Sequence, residues 1–206
     1  MTTLWGPLGW MALHSASINY PDNPSQVEKQ ICSRFLDLFT ETISCNICKS
    51  HFLRMLQTYK VIHPEYLNSK QDLFLFTVRA HNTVNRRLDK PTVKSVSEAL
   101  KTLQQATSLT SPAEYRQKYI EYLKRTWGTD RSANGLFASQ KIRELEKINN
   151  EYWNHRETSY VQFFYEADVL EYITEAGVKK TSAGFAPLVG GQPKVGFGGG
   201  RLKLRR

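Results

Sequence analysis

The sequence predicts an all-α protein: a four-helix bundle with a short fifth helix, then an additional helical module and a flexible basic tail. Three observations carry this reading. Serine followed three residues later by an acidic residue recurs along the chain, a pairing that opens helices by satisfying their unpaired N–H groups. Apolar residues between these starts recur at helical spacing. No segment shows the alternation and turn signals of strands.

Taken in order, Pro7 suits the first turn of a helix running to about Ile18, with Trp10 and His14 four apart on one face. Ser25 with Glu28 opens a second helix, whose apolar residues Ile31, Phe35, Leu38 and Phe39 follow helical spacing. Ser44 is the expected cap of a third, which places Cys45 in its first turn. Ser69 with Asp72 opens a fourth, carrying Leu73, Phe76, Ala80, Val84 and Leu88 and stopped by Pro91. A shorter helix near 95–106 follows. Serine, threonine and proline gather over 107–112, a plausible boundary. Beyond it Ser111 with Glu114 opens another helix, and Leu136, Ile142, Leu145, Ile148 and Tyr152 form the stripe of a longer one. The expected organisation is therefore residues 1–108, an additional module over 109–176, and a tail over 177–206.

The 206 residues carry a net charge of +9, unevenly placed. Residues 1–110 hold 12 basic and 8 acidic side chains, 111–176 hold 9 and 11, and 177–206 hold 7 and none. The excess belongs to a glycine-rich tail ending Arg201-Leu202-Lys203-Leu204-Arg205-Arg206. That tail reads as a solubilising extension or a partner-bound one, with a weak contact to nucleic acid or another acidic surface as the functional alternative. No apolar run is long enough to predict a membrane span. The N-terminus lacks the pattern of a signal peptide, so a cytoplasmic location is expected.

Three cysteines are too few to staple a secreted scaffold, and two of them stand in Cys45-Asn46-Ile47-Cys48. At a helix start, a thiolate gains from the dipole and from unpaired N–H groups, and the spacing lets the pair form a disulfide. Haem attachment would need histidine where Lys49 stands. Zinc could recruit Cys45, Cys48 and His51 with His63 or His81 as the fourth ligand. A thioredoxin-like site requires flanking strands, which are missing from the pattern. Cys32 lies among apolar helical positions and reads as a buried, inert thiol. Trp10 and His14, His51, and His81 with Asn82, Asn85, Leu88 and Lys90 place imidazole, indole and amide groups on three helices. Jointly they suit a flat heteroaromatic ligand carrying a diphosphate.

The segments Trp5-Gly6-Pro7-Leu8-Gly9-Trp10-Met11-Ala12-Leu13-His14, Cys45-Asn46-Ile47-Cys48-Lys49-Ser50-His51-Phe52 and His81-Asn82-Thr83-Val84-Asn85-Arg86-Arg87-Leu88-Asp89-Lys90-Pro91 resemble the Erv/ALR sulfhydryl oxidases, in this order. Their opening is similar to versions encoded by large DNA viruses, for which the host cytoplasm, a viral factory or the virion would be the location. The resemblance covers about residues 4–105. It implies FAD bound noncovalently at the mouth of the bundle, a homodimer, and transfer of electrons from thiol-containing proteins through Cys45 and Cys48 to FAD and O2. By the same resemblance Cys48 faces the flavin and Cys45 meets the incoming thiol. Trp5, Gly6, Trp10, His14, His51, His81, Asn82, Val84, Asn85, Leu88 and Lys90 would line the FAD site. A second Cys-x-x-Cys on a flexible arm is missing. Electrons are therefore expected directly from a partner, such as a thioredoxin-like protein or a small dithiol carrier. Residues 109–176 lie outside the resemblance, and their removal is expected to leave FAD binding intact. The competing reading from another class is a zinc-stabilised helical module that binds nucleic acid.

Overall fold

A computed structural model describes residues 5–161 and 173. Every regular element among them is helical: α1 (Trp5–Asn19), α2 (Gln26–Thr42), α3 (Asn46–Ile62), α4 (Lys70–Arg87), α5 (Val96–Leu109), α6 (Pro112–Gly128) and α7 (Ala133–Glu151), closed by a 3-10 turn over Trp153–His155. None of the helices searched among these residues is long and apolar enough to cross a membrane. The basic tail over 177–206 lies outside the described residues.

Local chemistry explains where the helices begin. Ser25, Ser69, Ser95, Ser111 and Ser132 cap α2, α4, α5, α6 and α7, each accepting a backbone N–H from three residues on, and each such cap is worth about 1 kcal/mol. At Ser25 the full capping box forms, with Glu28 returning to the Ser25 N–H. The expected cap of α3 needs correcting. Cys45, not Ser44, holds that position, its sulfur accepting the Cys48 N–H at 3.3 Å, while the Ser44 hydroxyl lies 3.4 Å from the Tyr122 hydroxyl. The stop of α4 also comes before Pro91. Asp89 takes a left-handed conformation, φ 52°, and Lys90 N–H donates to Asn85 O and Asp89 N–H to Arg86 O. This pairing satisfies the last carbonyls of the helix and turns the chain sharply.

Packing joins the first five helices to the two that follow. α1 is buried on most of its circumference, lying between α4 and α6, and α7 packs on both α6 and α2. Gly9 permits a close approach of α1 to Phe39 of α2 and Tyr119 of α6. A β-carbon there would sit 3.3 Å from Phe39 Cζ and Trp5 Cε3 and 3.4 Å from Tyr119 Cε2. Trp10, Leu13, Phe39, Tyr119, Leu123, Leu145 and Trp153 thus belong to one hydrophobic core. The boundary expected after residue 108 falls near the α5–α6 turn, and a shared core crosses it.

A buried arginine completes this joint. Arg116, 2% exposed, donates to Asn19 Oδ1 at 2.7 Å, Asn149 Oδ1 at 2.9 Å and the Trp153 carbonyl at 3.2 Å. Burial lowers its pKa to about 10, so it stays charged at neutral pH. Neutral oxygens, not a carboxylate, hold that charge. The arginine therefore ties α1, α6, α7 and the closing turn through hydrogen bonds that only a correctly docked α6 can make.

The stripe expected on α7 is corrected at one end. Ile142 and Leu145 are buried, but Leu136 is not, because Gly135 occupies the inward position at that level. A β-carbon on Gly135 would meet the Asp130 carbonyl oxygen at 2.0 Å. The close passage of the α6–α7 turn thus excludes a side chain there and leaves Leu136 facing solvent.

Candidate functional site

Cys45 and Cys48 are joined in a disulfide, with Cα atoms 5.2 Å apart, the geometry that one turn of helix offers a pair three residues apart. The two sulfurs differ in surroundings. Cys48 is buried and lines a cavity of about 380 Å³, whereas Cys45 is partly exposed at the helix end and is not part of that lining. Cys48 thus borders the cavity, while Cys45 lies half-buried at the helix end, outside that lining. The remaining cysteine, Cys32, is buried in the core, and burial pushes its thiol far above the ordinary range. A thiol so held supplies almost no thiolate.

The cavity lies within the range typical of small-molecule sites. Helix α1 contributes Trp5, Gly6, Trp10 and His14; α3 contributes Cys48 and His51; α4 and its terminal turn contribute His81, Val84, Asn85, Leu88 and Lys90. Of the residues expected to line the cofactor site, only Asn82 falls outside this lining. Its amide donates to Val93 O at 2.9 Å and accepts from Val93 N–H at 3.1 Å, which pins the chain after α4. It lines instead a second cavity of about 140 Å³ on the α5 side, which shares Met11, His14, His81 and Asn85 with the first. Pro7, Met11, Phe52 and Arg87 also line the main cavity. Sequence reasoning missed them, although Phe52 follows His51 and Arg87 precedes Leu88.

One flat wall comes from the Trp10 indole and the His81 imidazole, whose centroids are 4.3 Å apart at 10°. The hydrogen bonds behind it fix the proton positions. Thr77 donates its hydroxyl to Phe74 O at 2.8 Å, so its oxygen accepts from His14 Nδ1 at 3.0 Å. His14 Nε2 is then an acceptor, and His81 Nδ1–H donates to it at 3.0 Å. In the neutral ring His81 Nε2 is left with a lone pair. Both rings see the cavities yet are densely surrounded by protein. Burial, reinforced by His81, lowers the His14 pKa to about 3, and burial with the Lys90 charge lowers that of His81 to about 4.

These shifts set a direction for acid stability. Unfolded imidazoles bind protons near pH 6.5, while the folded ones stay neutral to far lower pH, so the unfolded state takes up more protons in between. The contribution is fully present above about pH 6.5 and drains as pH falls, by at most about 1.4 kcal/mol per pH unit for each ring. Thermal melts from pH 7.5 to 5 should show falling Tm, and His81→Asn should flatten that slope. An equal slope in the variant would assign the effect to other groups.

Trp5 lines the cavity, while its Nε1 is buried away from solvent with no hydrogen-bond partner. At the exposed end Arg87, Leu88 and Lys90 form the rim. Ile173, returning from beyond the helices, donates its N–H to Thr83 Oγ1 at 3.0 Å and borders a smaller hollow beside His51 and Arg87. No motif in the sequence around it pointed there. Among the described residues no group of three or more histidine, cysteine, aspartate or glutamate side chains could hold a metal ion. The ligand set that the zinc alternative needs is not gathered there.

Fold and site together define a helical-bundle oxidoreductase acting on sulfur, with a cysteine pair of which Cys48 lies in the wall of a cavity that also carries the Trp10–His81 stack. The Erv1/Alr family model matches residues 8–107. An FAD-linked sulfhydryl oxidase of African swine fever virus is 35% identical over 86 residues, 42% of this chain and 69% of that one. A probable FAD-linked sulfhydryl oxidase of Acanthamoeba polyphaga mimivirus is 25% identical over 116 residues, 56% of this chain and 80% of that one. The mitochondrial FAD-linked sulfhydryl oxidase of Saccharomyces cerevisiae is 30% identical over 86 residues, 42% of this chain and 43% of that one. No solved structure matches the chain significantly. The chain belongs to the Erv1/Alr family.

Proposed function

We propose that this chain is an FAD-linked sulfhydryl oxidase that forms disulfides in partner proteins. The observation that carries the reading is the Cys45–Cys48 disulfide, with buried Cys48 in the cavity wall and partly exposed Cys45 at the helix end outside it. The residues present fit FAD. Trp10 and His81 offer a flat stacking wall, His81 Nε2 an acceptor, and Arg87 and Lys90 two cations for a diphosphate at the rim. Trp5, Gly6, Trp10, His14, His51, His81, Val84, Asn85, Leu88 and Lys90 are the proposed lining, with Asn82 shaping it through Val93.

The chemistry of the chain's own residues follows from the asymmetry of the two sulfurs. A substrate thiolate attacks Cys45 Sγ, forming a substrate–Cys45 disulfide and releasing Cys48 as thiolate. That thiolate is stabilised by the first turn of α3, where unpaired N–H groups and the dipole favour negative charge. A second substrate thiolate then attacks the substrate sulfur of the mixed disulfide. Cys45 leaves as thiolate, and the substrate has acquired a disulfide while the enzyme pair has gained two electrons. Bound in the cavity, FAD supplies the acceptor that takes this pair and passes it to O2, giving hydrogen peroxide. His14 and His81 remain neutral throughout at physiological pH, so the wall adds no charge of its own.

The substrates proposed are protein thiols, with a thioredoxin-like protein or a small dithiol carrier as donor and the cytoplasm as the place of action. In an oxygen electrode, dithiothreitol should drive consumption of one O2 per disulfide, with equimolar hydrogen peroxide. Cys32→Ala should leave that rate within about twofold, since a sealed thiol takes no part in exchange. Oxygen uptake without peroxide, or its loss in Cys32→Ala protein that still melts cooperatively, would contradict the scheme.

A further inference from the structure

We propose that the Lys49 ammonium, braced by Trp127 of α6, is a fixed cation beside Cys45 that draws substrate thiolates onto the Cys45 sulfur and stabilises Cys45 when it leaves as thiolate. Its part in turnover rests on the oxidase reading above, whereas the charge that Cys45 feels is measurable without flavin.

Position along α3 brings the two side chains together. Lys49 N–H donates to Cys45 O at 2.8 Å, so the lysine stands one helical turn beyond the cysteine. Four steps of about 100° return to within about 40° of the same face. Helical side chains also lean towards the N-terminus, which here is back over Cys45.

Helix α6 sets where the long lysine side chain ends. The ammonium sits 5.7 Å from the Trp127 ring centroid, within the range at which an aromatic face attracts a cation. The indole is itself anchored: its Nε1–H donates at 2.9 Å to the carbonyl of Thr42, three residues before Cys45. Two turns earlier on α6, the Tyr122 hydroxyl lies 3.4 Å from Oγ of Ser44, the residue directly before Cys45. Cys45, Tyr122 and Trp127 are all partly buried against one core. The lysine therefore ends on the side of α3 where α6 meets residues 42–45. Trp127 lies beyond residue 107, where the family match ends, so the brace comes from the added helices.

The surroundings leave the ammonium its charge. Half-burial pulls Lys49 below the ordinary lysine range, and Glu41 acts in the opposite sense. Glu41 is already paired with Lys141 of α7 at 3.3 Å, and the indole face favours the charged form.

Thiol–disulfide exchange runs on anions. In the first step a substrate thiolate bonds to Cys45 Sγ while the Cys45–Cys48 bond breaks and Cys48 takes its electron pair. In the second, the substrate disulfide closes and Cys45 takes the pair. A cation beside Cys45 attracts the incoming thiolate in the first step and makes Cys45 a better leaving group in the second.

The test uses two alkylating reagents, anionic iodoacetate and neutral iodoacetamide, on Cys48→Ser protein, in which Cys45 is the accessible thiol and Cys32 is buried. In Cys48→Ser/Lys49→Met protein the iodoacetate rate relative to the iodoacetamide rate should fall about threefold or more, the effect of one unit charge on another ~7 Å away even at the dielectric of water. Lys49→Arg should restore the ratio. A lysine that only packs would alter both reagents alike. Trp127→Leu, with Lys49 in place, should lower the ratio at least about twofold. With the cysteine pair intact and FAD bound, Lys49→Met should lower kcat/KM for dithiothreitol several-fold, and Lys49→Arg should recover it. An unchanged ratio in Lys49→Met or in Trp127→Leu, or a loss that Lys49→Arg does not recover, would overturn the proposal. A ratio that falls as expected, in a protein whose unaltered FAD-loaded form does not turn over dithiothreitol, would keep the cation and defeat the oxidase reading instead.

Discussion

Cys48→Ser should lower dithiol-driven oxygen consumption by more than about 10³-fold, the scale at which loss of a covalent participant leaves only background reaction, while FAD stays bound. The cavity loses one sulfur and keeps its stacking wall and rim, so the absorption of bound flavin should persist. The two cysteine variants should also fail differently. In Cys48→Ser the partly exposed Cys45 should still exchange with disulfides in solution and accumulate as a mixed disulfide. In Cys45→Ser the surviving thiol is the buried one that lines the cavity, and labelling of native protein by a bulky thiol reagent should be slow. Mass spectrometry after incubation with oxidised glutathione separates the cases. Equal trapping at both positions would remove the asymmetry on which the mechanism rests.

Arg116→Ala should destabilise the protein by about 3–5 kcal/mol, because several buried neutral acceptors are left without a donor at about 1–3 kcal/mol each and the packing around the side chain is lost. Oxygens on Asn19, Asn149 and Trp153 lose their donor, and a cavity opens where α1, α6 and α7 meet. Against a typical total of 5–15 kcal/mol this is a large share. Arg116→Met refills much of the volume but none of the hydrogen bonds. It should therefore recover only the packing part in a urea melt. Ending the chain after Thr110 is expected to be more damaging still, since the surface of α1 around Gly9 and that of α2 around Phe39 would lose Tyr119 and Leu123. This reverses the expectation, drawn from sequence, that the bundle holds its cofactor without the later helices. A soluble, cooperatively melting 1–110 fragment that retains flavin would restore the earlier view.

Helix starts were legible because serine capping is local, with the signal and its effect three residues apart. The cap of α3 was misplaced by one residue because a cysteine is not an expected cap, although its sulfur accepts the same bond. Most of the cavity lining was legible through the motif resemblance. Asn82 went elsewhere because an amide near a site can be spent on the backbone, as Val93 shows. What no local pattern contained was the placement of α6 and α7. A helical stripe states that a face is buried, not against what, and Leu136 was assigned to that stripe because spacing cannot foresee a carbonyl pressed onto Gly135. Arg116 was equally silent, since arginine in a charged helix reads as surface until its partners are known.

The measurement that bears most directly on the central claim is the absorption spectrum of the purified protein from 300 to 700 nm, before and after excess dithiothreitol under air. The account predicts flavin bands that bleach as electrons enter through Cys45 and Cys48 and return once the thiol is exhausted, with neither change in Cys48→Ser. A protein that FAD cannot reconstitute, or flavin bands that bleach equally fast without Cys48, would contradict it.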